Sequence, residues 1–325
     1  MRAPRQQRGF TLVELMISLV LFALVVSGIL AVAVSMTGGF REQRDATNAE
    51  GLVRVPIDYM ADVVRQASPG VSNFNIQDAD TCSPSALTVT NNPGNPDALD
   101  VIYASGGVVT SVKTDFTGNA GVIDVVDSNG FGQNDYVVIT NLGQGHFYKI
   151  TSTTATTLTV QALCGALVLP GGGYVAGSLA IRAAHATFTV AALPLETITA
   201  LWMDPDAGGA QAAEPLAEGI EDMQIAIGLD GNNAGLGADT GGAGDEWIYN
   251  NSGDAAILAW PPAPALGTIR AVRITLVARS ANIDTGNALL GQRPTVEDHA
   301  AGAPDNYRRR ILKTTIEFRS GGVSP

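Results

Sequence analysis

The hydrophobic pattern of the chain changes character twice. From Leu15 to Val34 there are twenty consecutive residues without a charge, enough for a helix to cross a bilayer. Beyond Pro56 the apolar residues Ile57, Met60, Val63 and Val64 recur at three- and four-residue spacing, which predicts an amphipathic helix with one face on a core. Gly38 and Gly39 weaken helix locally, Pro56 removes a backbone donor and should kink it, and the SPG at 68–70 should end it. The pattern therefore predicts one interrupted helix over 10–67, with 10–34 as its membrane segment.

From about residue 85 the period shortens to short Val/Ile/Thr runs separated by Gly, Asn, Asp and Pro. The runs ALTVTN, LDVIYAS, DYVVITN, FYKITST, TLTVQAL and ATFTV read as strands, followed by ITALWM, DMQIAIGL, IRAVRITLVAR and ILKTTIEFR. Their alternation predicts antiparallel sheet with one wet face. The fold class expected is α+β, a long N-terminal helix whose second half packs on an enlarged antiparallel β-sheet head over 71–325. No firm domain boundary falls inside that head, although 106–178 has the look of a β-rich insertion. Composition agrees, with 46% apolar residues, few aromatics and 37 glycines. The formal charge is −12 and the first ten residues hold the basic leader, so direct nucleic-acid binding is not expected, because phosphate contacts need clustered Lys and Arg.

Glu14 is the odd residue at the front of the apolar run. An acidic side chain at mid-membrane costs roughly 2.5–3.5 kcal/mol on insertion scales, so an intramembrane carboxylate calls for a function and a cationic partner. A secretory signal peptide is disfavoured. The run exceeds the roughly 7–15 residues of a signal core, and SMTGGFREQRD, which follows it, offers no small-x-small cleavage site. A plain membrane anchor is the simplest remaining reading.

The stretch RGFTLVELMISLVL resembles the class III signal of type IV pilins and type II secretion pseudopilins. That resemblance implies a leader over 1–9, cut between Gly9 and Phe10 by a prepilin peptidase that also methylates the new amino terminus of Phe10. Glu14 then becomes the fifth residue of the mature chain. Its implied role is docking to the amino terminus of a neighbouring subunit. Three head segments, PLAEGIEDMQIAIGLD, IRAVRITLVARS and YRRRILKTTIEFRS, resemble blocks of PilW-type minor pilins and occur in the same order. Ile227 departs from that pattern, which has a tyrosine before the glycine of GLD.

The resemblance implies a structural subunit that primes type IV pilus assembly at or near the tip. It starts as a single-pass inner-membrane protein with a periplasmic head and ends in the extracellular pilus. Implied partners are other minor pilins, the major pilin, a large adhesin-like tip protein and the inner-membrane assembly platform. A J-type minor pseudopilin of a secretion system and a membrane-anchored periplasmic binding module are the alternatives. Cys82 and Cys164 show no metal spacing. A periplasmic head makes a disulfide between them the expectation, although neither position matches the cysteines of the PilW group.

Enzyme chemistry finds no positive support. His146, His185 and His299 are dispersed, and no nucleophile-elbow or phosphate-loop motif occurs. No cofactor is expected, with one qualification: the loop LDGNNAGLGADTGGAGDEW gathers Asp230, Asn232, Asp239, Asp245 and Glu246 as oxygen donors of the kind calcium needs. Its spacing does not fit the twelve-residue EF-hand loop, and a solvated turn is the plainer reading. Arg308, Arg309 and Arg310 concentrate charge that could serve an acidic neighbour or internal ion pairs.

Overall fold

A computed structural model describes residues 11–77, 85–118, 120–163, 169–194, 198–206, 211–230, 236, 247–249, 269–283 and 291–318. Contacts divide the chain into two units, 1–48 and 49–325. Helix α1 (Leu12–Arg65) is continuous in backbone conformation through Gly38, Gly39 and Pro56, so the expected interruption is not seen. Proline forfeits one internal hydrogen bond. In the second unit, burial of Val53, Ile57, Met60, Ala61, Val63 and Val64 supplies the packing that outweighs local propensity. The helix closes with tighter bonds, the Gln66 amide to the Val63 carbonyl (3.1 Å) and the Ala67 amide to the Val64 carbonyl (3.1 Å). Gly70 follows at φ 70°, where a Cβ would stand 2.6 Å from Ile181 Cδ1, so only glycine fits this turn.

Sixteen strands are described. The first sheet holds β1 (Ile76–Gln77), β2 (Leu87–Thr90), β3 (Ala98–Ser111), β4 (Ala120–Asp124) and β5 (Tyr136–Thr140). It continues with β6 (Gly145–Thr154), β7 (Thr157–Ala162), β8 (Leu179–Ala192), β9 (Thr199–Asp204) and β10 (Glu214–Glu218). Its main path runs β10-β9-β8-β5-β6-β7-β4, and every pair except β1–β6 is antiparallel. β8 carries β3 on one edge and β5 followed by β9 on the other.

Two cores meet at this sheet. Val138 and Phe147 belong to the core that includes the α1 face, whereas Val137, Ile139, Tyr148 and Ile150 belong to a second core with Phe116, Ile123, Phe131, Leu158 and Tyr174. That explains the unbroken VVI run in β5, since both of its faces are buried. The segment expected as a β-rich insertion thus brings a core of its own while its strands remain in the common sheet.

The second sheet has the order β12-β11-β13-β16, from β11 (Ile220–Leu229), β12 (Trp247–Ile248), β13 (Ile269–Ile283) and β16 (Tyr307–Glu317). Its inner row, Met223, Ile225, Ile227, Val272, Ile274, Leu276 and Ile316, joins the main core. The outer row of β11 and β13 departs from expectation, because it is polar yet buried. The segment 291–306, with the two-stranded β14 (Gly291–Gln292) and β15 (Pro304–Asp305), holds this face through charged side chains and forms a clasp. Arg293 Nη1 reaches Asp222 Oδ2 at 3.0 Å, and Glu297 Oε1 takes bonds from Arg273 Nε (3.1 Å), Thr275 Oγ1 (3.1 Å) and Lys313 Nζ (3.0 Å). Arg309 Nη2 reaches Glu221 Oε1 at 2.9 Å, and Nη1 reaches Asp305 Oδ1 at 2.7 Å. Only 6% of the Arg309 side chain is exposed. Of the two roles open to the arginine run, Arg309 therefore serves internal ion pairing, which raises its own affinity for the proton.

Asp97, buried between β2 and β3, accepts the Asn92 amide at Oδ1 and the Ile225 amide at Oδ2, both at 2.8 Å. Burial, with smaller contributions from the Asp298 and Asp222 charges, pushes its ionisation up to about 7 from an ordinary 3.8. A folded value above the unfolded one means stability that is full below about pH 4 and is lost as pH rises through about 7. In chelator-containing buffer the unfolding free energy of the detergent-solubilised protein, from urea titration, should fall between pH 5 and 8 by an amount on the order of a few kcal/mol. Asp97→Asn should flatten that slope. An unchanged slope in the variant would exclude Asp97 as its source.

Candidate functional site

The amino end of α1 is organised by two side chains. Thr11 stands at the N-cap and Glu14 at the third helical position, so Thr-Leu-Val-Glu forms a capping box. The Glu14 amide donates to Thr11 Oγ1 (3.3 Å), the Thr11 amide donates to Glu14 Oε2 (3.1 Å), and Thr11 Oγ1 donates to the same oxygen (2.9 Å). The first helical bond, Leu15 amide to Thr11 carbonyl, closes at 3.2 Å. Glu14 Oε2 is thus engaged within the chain, and Oε1 has no hydrogen bond among the described residues. The carboxylate also faces the positive end of the helix macrodipole.

Behind this cap, Leu12–Thr37 is a span of 26 residues long and apolar enough to cross a membrane. At 1.5 Å per residue it measures roughly 39 Å, against about 30 Å of bilayer hydrocarbon. Apart from the half-buried Val26, its large apolar side chains from Leu12 to Met36 are 55–79% exposed. Covering each such side chain is worth about 1.5–3 kcal/mol, so this surface demands lipid or other apolar helices as its surroundings.

Other residues singled out in the sequence distribute unevenly. Gly9, Phe10, Cys82, Cys164, Asn232, Asp239, Asp245 and Glu246 lie outside the described residues. Asp230 is buried, and its Oδ2 receives Arg270 Nε at 3.3 Å. His146 approaches Tyr174 in the second core, His185 stacks edge-on with Phe147, and His299 Nδ1 contacts Asp222 Oδ2 at 2.9 Å. The three histidines are thus separated among structural roles. Thr11 is the functional residue that sequence analysis leaves out, although Thr-x-x-Glu ahead of an apolar run is a readable signal.

Family comparison bears on both ends of the molecule. The prokaryotic N-terminal methylation motif matches residues 4–35, which contain the cap and most of the exposed apolar helix. The model of type IV pilus-assembly protein W matches residues 187–320, from the end of β8 through the four-stranded sheet and its clasp. The region of the second core, 112–180, lies outside both matches. No curated protein and no solved structure gives a significant match.

Proposed function

The chain is a type IV pilin-like protein of the PilW type, and from that premise we propose that it is a minor pilin that primes pilus assembly and takes a place at or near the tip. Its work is assembly. The prepilin peptidase removes 1–9 by cutting between Gly9 and Phe10 and methylates Phe10, and the apolar span holds the subunit in the inner membrane until the assembly platform extracts it. Glu14 then meets the amino terminus of a neighbouring minor or major pilin. The head lies in the periplasm before extraction and presents its surface to other minor pilins, and to a large adhesin-like protein at the tip.

The observation that carries this reading is the capped carboxylate in front of an apolar helix whose side chains are almost all exposed, within the segment that matches the methylation motif. A carboxylate is an expensive residue for a mere anchor. Mass spectrometry of sheared fibres tests the reading together with immunogold labelling. The expected results are a chain beginning at methylated Phe10, gold confined to fibre ends, and fewer surface pili when the gene is deleted. A retained leader, or label spread evenly along the shaft, would refute the proposed role.

A further inference from the structure

Three regions distant in sequence meet at one polar junction in the head: the 91–97 turn between β2 and β3, β11 at Gln224, and the clasp at Asp298 and His299. Asn91 Nδ2 donates to Asp298 Oδ2 (2.9 Å), and Gln224 Nε2 donates to the Asn95 carbonyl (3.1 Å) and to Asp222 Oδ1 (2.9 Å). Asp97 joins the same turn to the Ile225 amide at 2.8 Å. These bonds fix which way both amides face. The oxygens left over, Asn91 Oδ1 and Gln224 Oε1, are buried without a hydrogen-bond partner among the described residues, and so are Asp298 Oδ1 and the Tyr249 hydroxyl. Gln224 is 0% exposed and Tyr249 2%. Tyr249 comes to the same part of the sheet through strand register, because the adjacent Ile248 pairs with Ile227 on the strand that carries Gln224.

Buried polar atoms are nearly always satisfied, and each one left bare costs about 1–3 kcal/mol. Four at one junction, three of them acceptors only, ask for an electropositive ligand. The charge balance asks for the same thing. Asp97 and Asp298 form no ion pair with Lys or Arg among the described residues, while Arg293 is committed to Asp222, and Arg273 and Lys313 to Glu297.

We propose that this junction is a calcium site, built from Asp298, the amide oxygens of Asn91 and Gln224 and the Tyr249 hydroxyl, with Asp97 contributing its charge. No three of the described His, Cys, Asp and Glu side chains group as a metal site, so the site is a mixed one in which amide oxygens complete the set. Calcium accepts such mixtures of carboxylate and carbonyl oxygen in flexible geometry, whereas magnesium demands a near-ideal octahedron. The site is separate from the glycine-rich loop that begins at Asp230. By joining the clasp to the β2–β3 turn, the ion would lock the outer face of the four-stranded sheet.

The test uses the full chain in detergent, stripped with a chelator and melted with and without calcium chloride. Extracellular calcium modules bind at roughly 0.1–1 mM, so about 5 mM calcium should raise the melting midpoint by about 3 °C. The same concentration of magnesium should do markedly less. Asp298→Asn should abolish the calcium response while melting, metal-free, no lower than the parent, because the isostere removes a negative charge that has no Lys or Arg partner among the described residues. Asn91→Leu, which deletes one ligand and keeps the charge, should also lose the response. No shift in the parent, an equal shift with magnesium, or a full shift retained in both variants would each overturn the assignment.

Discussion

Glu14→Val is expected to leave the protein at normal levels in the inner membrane while reducing its recovery in sheared fibres at least tenfold. Glu14→Gln should be nearly as defective, and the comparison between the two is what identifies the mechanism. The capping box works with Glu or Gln at its third helical position, so Gln preserves the helix start and removes only the charge. Val removes both. If the carboxylate served only the cap, Gln would assemble normally and Val would lose about 1 kcal/mol of helix stability. If it docks to an amine in a low-dielectric surrounding, losing the charge matters far more, because the neighbour's cation is then left without a partner.

Thr11 supplies the complementary pair. Thr11→Ser keeps the hydroxyl that donates to Glu14 Oε2 at 2.9 Å and should assemble. Thr11→Val frees the carboxylate to rotate and should weaken incorporation less than Glu14→Gln does. Quantitative immunoblots of membrane and fibre fractions distinguish these outcomes. Wild-type incorporation of Glu14→Gln would remove the charge from the docking role.

Local physics makes some parts of this molecule legible in its sequence and leaves others unread. All ten strand runs picked out by alternation lie on strands, and the Ile57, Met60, Val63 and Val64 stripe is buried. These features depend on near-neighbour periodicity. Pro56 misleads because propensity describes an isolated helix, whereas burial of the surrounding face holds this one together. The outer row of β11 misleads for the converse reason. Asp222 and Gln224 alternate with Met223 and Ile225 like residues of a wet face, yet both are fully buried. Their partners are more than seventy residues away in the clasp, and no local pattern announces a pairing at that distance. The strands β4 and β10 escape because they are short, Gly- or Pro-containing edge strands of mixed polarity.

The clasp yields the largest stability effect expected in the head. Glu297 is 7% exposed and gathers Arg273, Thr275 and Lys313 around one carboxylate. Burial by itself would raise its ionisation, but the Arg273 and Lys313 bonds and charges win and hold it below its ordinary 4.5. Glu297→Ala strands the Arg273 guanidinium, whose side chain is only 16% exposed, and removing one partner of a buried pair costs about 3–5 kcal/mol. Trp247 is no substitute, since its ring offers Arg273 a contact at 4.2 Å worth about 1–2 kcal/mol that exists already. Glu297→Gln should cost less, because the amide oxygen still accepts hydrogen bonds. The folded value lies below the unfolded one, so the carboxylate's contribution is present above about pH 4.5 and is lost as pH falls through the folded value. Urea midpoints of the parent and Glu297→Gln should therefore differ at pH 7 and converge on acidification toward pH 3. Hydrogen exchange should show protection lost first across 291–306 in Glu297→Ala. If that variant matched the parent in midpoint and exchange at pH 7, the clasp would be held by its few apolar contacts, such as the buried Val296, and not by charge.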